Sequence, residues 1–100
     1  MLMKLSIIAS KAARELKWGH GYHYSQGRHC MLGAILHYRL GHNHCLKTMV
    51  GPDTQYYSPD TLKMSAKESK AISIDEIWQK NDDGGWDFAR FAREFKKLGI

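Results

Sequence analysis

Apolar residues at both ends of this chain recur at the spacing of one helix face, and this restricts the fold more than any other feature. Leu5, Ile8, Ala9, Ala12 and Leu16 stand at i, i+3, i+4, i+7 and i+11. That spacing predicts an amphipathic helix over residues 4–17, with Lys4, Lys11, Arg14 and Lys17 off the apolar stripe. Phe88, Phe91, Ala92, Phe95 and Leu98 form a second stripe and predict a last helix over residues 86–98, with Gly99 after it. Two such faces must bury against something, and in a chain of 100 residues two or three helices are expected to form one small core.

Between these ends the pattern changes several times. Residues 18–29, WGHGYHYSQGRH, hold three glycines and alternate Tyr22, His23 and Tyr24, which fits a minor hairpin around Ser25-Gln26-Gly27 or an ordered loop. Leu32, Ile35, Leu36 and Leu40 predict a helix from Cys30 to Leu40, stopped by Gly41. Gly33 inside that helix costs about 1 kcal/mol against alanine and marks a close approach by backbone or ligand. Residues 42–58 are mixed and turn-rich. A weaker helix is expected over residues 59–71, opened by Ser58-Pro59, with Ser65 and Glu68 as a competing start. Ser73-Ile-Asp-Glu76 is a capping box for a short helix to about Lys80, and NDDGG, residues 81–85, ends it. The sum is a single, mainly α domain: a small bundle of three to five helices with one minor hairpin near residues 20–30. Trp78 and Trp86 are expected to pack in the core.

No run approaches the ~20 apolar residues of a membrane span, and the start lacks the long apolar centre of a secretory signal. The expectation is a cytoplasmic protein with Cys30 and Cys45 as free thiols. Charge is uneven. Residues 1–50 hold seven Lys/Arg against one acid, Glu15, a balance of +6, while residues 51–100 hold eight against nine, a balance of −1. The basic half favours an anionic partner: an acidic protein surface, a nucleotide or a nucleic acid.

All six histidines fall between residues 20 and 44, beside both cysteines. Three kinds of chemistry fit this concentration. Zinc is served by His20 and His23 with His42, His44 and Cys45, although the spacing is that of no standard finger. A nucleophile is offered by Cys30 in the first turn of its helix, next to His29 and Arg28, where the helix dipole favours a thiolate. Binding is offered by Arg28 at the helix mouth with Trp18, Tyr22 and Tyr24 as stacking or interface groups. No catalytic set is complete, so a non-enzymatic binding protein without a cofactor is the leading reading; a zinc or cysteine-dependent domain is the alternative, and a direct nucleic-acid binder using the basic face of the first helix is the third.

The pieces Ala12-Ala13-Arg14, Trp18-Gly19, Gly27-Arg28 with Cys30, Gly33-Ala34-Ile35 and Asn81-Asp82 occur in an order that resembles a family of small uncharacterised bacterial and phage proteins. The resemblance departs in two places: Trp18 precedes its glycine, and Lys80 stands where that family often has tryptophan before Asn-Asp. That family brings no reaction with it; by analogy with small phage accessory proteins, the expectation is a protein that binds or inhibits a host factor or sequesters an anionic ligand. The resemblance also implies that Arg28, Cys30 and Gly33 meet Asn81 and Asp82. There the two could cap a helix, hold a turn, or fix Arg28 by a charge-assisted bond.

Overall fold

A computed structural model describes residues 3–19, 24–25, 28–41 and 62–100, with backbone only for residues 24–25 and Leu40. Among these the elements run α1 (Leu5–Glu15), β1 (Lys17–Trp18), β2 (Tyr24–Ser25), β3 (Arg28–His29), α2 (Met31–Leu40), α3 (Ala66–Ala71), α4 (Ile74–Asp82) and α5 (Phe88–Lys97). The protein is mainly helical, as the periodicities require. No helix of the described residues is long and apolar enough to cross a membrane.

The two terminal stripes bury against each other. α1 puts Leu5, Ile8, Ala9 and Ala12 inside, and α5 puts Phe88, Phe91 and Phe95 inside. The α1–α5 contact is the most extensive between any two elements. The Ser6 N–H donates to the Ile100 carbonyl at 3.2 Å, so the two helices pack antiparallel, the start of α1 beside the end of α5. Trp86, Phe91 and Phe95 form an aromatic row with centroid separations of 5.3 and 5.4 Å. α2 is buried on all sides from Met31 to Leu36, and it packs mainly on α1 and α4. Its end is set by Gly41, which adopts φ +77° and donates to the His37 carbonyl.

The expected hairpin exists as an antiparallel pair, β2 against β3, with Tyr24 opposite His29 and Ser25 opposite Arg28. β1 joins the other side of β3 in parallel, giving the order β1-β3-β2. Two-residue strands carry no pattern, and Lys17, the first residue of β1, therefore falls inside the stretch read as the end of the first helix. α1 stops at Glu15, and Lys17 is extended.

Other boundaries differ for definable reasons. The third helix starts at Ala66, opened by the reciprocal Ser65–Glu68 box, and Leu62 and Lys63 before it form a turn. The start expected at Ser58-Pro59 lies outside the described residues, and the helix described begins at the competing start. α4 starts at the Ser73–Glu76 box as expected but runs through Asn81 and Asp82. Its stop is carried by the glycines: a Cβ on Gly84 would lie 2.7 Å from the Lys80 carbonyl oxygen, and Gly85 has φ +66°. Trp86 half-buries against the core, whereas Trp78 is 38% exposed, so the expectation that both tryptophans are core residues holds only for Trp86. Leu98 lies just past α5 and is exposed.

Candidate functional site

Residues of the motif pieces converge on one buried carboxamide. Asn81 faces inward because it follows Ile74 and Ile77 at i+7 and i+4 on the apolar side of α4. It is 1% exposed. Its Oδ1 accepts from the Trp18 indole N–H at 3.0 Å and from the Met31 backbone N–H at 2.9 Å. Its Nδ2 donates to the Gly19 carbonyl at 3.1 Å and to Asp82 Oδ1 at 3.0 Å. A carboxamide has two acceptor and two donor positions, and all four are filled. Asn81 thereby ties the end of α4 to β1 and to the first turn of α2.

The mouth of α2 is completed from within. Cys30 is the N-cap, and its Sγ accepts from the Gly33 N–H at 3.4 Å. The thiol is 2% exposed and His29 beside it 4% exposed, so neither offers a face to an outside substrate in this conformation. The His29 and His37 rings meet edge-on at 5.4 Å, and His37 meets Tyr38 at 4.9 Å. Arg28, by contrast, is exposed. Its guanidinium donates to the Trp18 carbonyl at 3.1 Å rather than to Asn81 or Asp82, so the charge-assisted bond expected there is made to a backbone oxygen instead. Gly19 permits this: a Cβ there would stand 2.9 Å from the Arg28 Cβ. Tyr24 lies in β2, and Asp82 is the last residue of α4. Tyr22 and the zinc candidates His20, His23, His42, His44 and Cys45 lie outside the described residues. Among the described residues no three His, Cys, Asp or Glu side chains group so as to hold a metal.

A second polar centre escaped sequence reasoning. Arg39 and Glu68 form a two-pronged ion pair, NH1 to Oε1 at 3.1 Å and NH2 to Oε2 at 2.8 Å, with side chains 2% and 10% exposed. The guanidinium also donates to the carbonyls of Met3, Leu62 and Lys63. Lys63 takes the left-handed conformation, φ 56°, uncommon for a residue with a Cβ. The signal was present: Arg39 follows Leu32, Ile35 and Leu36 at i+7, i+4 and i+3, on the apolar side of α2.

The exposed chemistry lies on α1. Lys4, Ile7, Lys11 and Arg14 follow one another at spacings of three, four and three, one stripe of the helix away from the buried one. Lys4 and Arg14 are exposed, Ile7 is 48% exposed, and Lys17 continues the line into β1. Glu15, the acid of this half, accepts from the Tyr38 hydroxyl at 2.7 Å. Burial and this carboxylate together push the Tyr38 phenol well above its ordinary range. Lys11 sits over the Tyr38 ring at 5.5 Å. Among the described residues the ion pairs are Arg39–Glu68 and Glu94–Lys97, and neither draws on α1.

Compared with family models, with curated proteins and with solved structures, the chain gives no match in any of the three.

Proposed function

We propose that this chain is a non-enzymatic binding protein that engages an anionic partner through the exposed basic face of α1. The observation that carries the reading is the stripe itself. Lys4, Lys11 and Arg14 share one side of the helix, Lys17 extends it, and no carboxylate among the described residues is in ion-pair contact with them. Exposed lysine and arginine are ordinary, but a line of cations with a half-exposed isoleucine in it, against one carboxylate, Glu15, that the Tyr38 hydroxyl engages, focuses potential toward a partner of opposite sign. The motif corner around Asn81 serves as the latch that holds β1, α2 and α4 in register behind this face. The positive charge of this face favours an acidic surface of a host protein, a nucleotide or a nucleic acid as the partner.

Retention on immobilised heparin, a generic polyanion, tests the reading. The double variant K4E/R14E should elute at clearly lower salt than the parent. K67E/K70E changes the same net charge on exposed positions of α3 and should elute later than K4E/R14E. Identical elution of the two variants would mean that net charge alone is at work, and the reading would fall.

A further inference from the structure

Resting on that binding reading, we infer that the α1 face and the Lys17–Arg28 pair form a track for the phosphodiester backbone of a nucleic-acid strand. The pair is the decisive feature. β1 and β3 run parallel with Lys17 in register with Arg28, so two cations stand on neighbouring strands about 4.8 Å apart at the backbone. Both are exposed. Like charges set directly across a sheet oppose its pairing. The pull of the negative end of the α1 dipole accounts for Arg14 in its last turn. It does not account for Arg28, which arrives from β3. An oxyanion bridging the two relieves the repulsion.

Arg28 is also prepared for such a ligand. One N–H of its guanidinium is anchored on the Trp18 carbonyl, and its stem lies where Gly19 lacks a Cβ. The head is thus fixed in place with donors left for a planar, two-pronged contact to phosphate. From Lys4 to Arg14 the line along α1 measures about 15 Å at the helix rise, and the pair extends it. A carboxylate patch on a protein is short and mixed in sign, whereas a strand presents one anion after another along its length. The length of the track matches the strand, and its one acid, Glu15, is engaged by the Tyr38 hydroxyl.

The experiment is fluorescence anisotropy of a labelled single-stranded oligonucleotide with the full chain, titrated with salt from ~50 mM upward. Poly-glutamate serves as competitor and, when labelled, as a second probe. The expected result is binding whose log K falls linearly with log salt, with a slope lower by about 0.7 for each of K17Q and R14Q. R28K keeps the charge and loses the fork, and should weaken binding with little change in slope. K70Q on α3 should leave affinity and slope as they are. Unchanged slopes in K17Q and R14Q would place the contacts elsewhere and overturn the track. Binding of poly-glutamate without the oligonucleotide would overturn the inference and leave the anionic-partner reading standing. Binding of neither probe would end both. Circular dichroism of each variant separates lost contact from lost fold.

Discussion

At the scale of single residues, the structure distinguishes polar groups that complete the fold from those that face outward. Cys30 belongs to the first kind. Its sulfur accepts an N–H at the opening of α2, and its side chain is closed off from solvent. A thiol at a helix opening has some bias toward thiolate, but reactivity also needs access. In a Cys45→Ser background, Cys30 should therefore react with a thiol reagent only at the rate of unfolding, and fully once denaturant is added. Fast labelling of native protein at neutral pH would reinstate a nucleophilic role. Asn81 is of the same kind, and it shows why the corner was only half legible. Asn-Asp-Asp-Gly-Gly reads as a turn, because every residue in it favours one. What the local reading omits is that Asn81 also continues the Ile74–Ile77 stripe, and the tertiary demand of Trp18, Gly19 and Met31 keeps the helix going until Gly84.

At the scale of elements, three helices were visible in advance because apolar period and stop signals agreed: α1 and α5 by their stripes, and α2 by its run up to Gly41. The Ser73–Glu76 box located the start of α4, and the Ser65–Glu68 box, read only as a competing start, marks that of α3, since both halves of each box lie within four residues. The Arg39–Glu68 pair was half legible: the spacing puts Arg39 on the apolar side of α2, but nothing local names its partner. Its members are 29 residues apart, and each has a sufficient local explanation, a cation in the last turn of α2 and a cap for α3. The pair joins α2, α3, the turn at Lys63 and the chain before α1. Glu68→Gln leaves a guanidinium buried with too few partners, and Arg39→Met leaves a carboxylate in the same position. Each should cost about 3–5 kcal/mol in urea denaturation. The double replacement R39M/E68L should cost less than either single change, because nothing charged then remains buried. Costs that simply add would show that the two act independently, contrary to their geometry.

At the scale of the whole molecule, Asn81 is a junction between stretches far apart along the chain. Its bonds to Met31, Gly19 and Trp18 span 50, 62 and 63 residues. Such contacts require large loops to close first, so they belong to the late part of folding. Replacing Asn81 by alanine removes four bonds and strands buried donors and acceptors, a loss of roughly 3 kcal/mol or more. If the junction forms after the rate-limiting step, nearly all of that loss falls on escape from the native state. Stopped-flow chevrons should then show an unfolding limb raised by about a hundredfold and a refolding limb almost unmoved. A slowed refolding limb would instead put the junction in the nucleus. On this account one carboxamide governs how long the native state persists once formed.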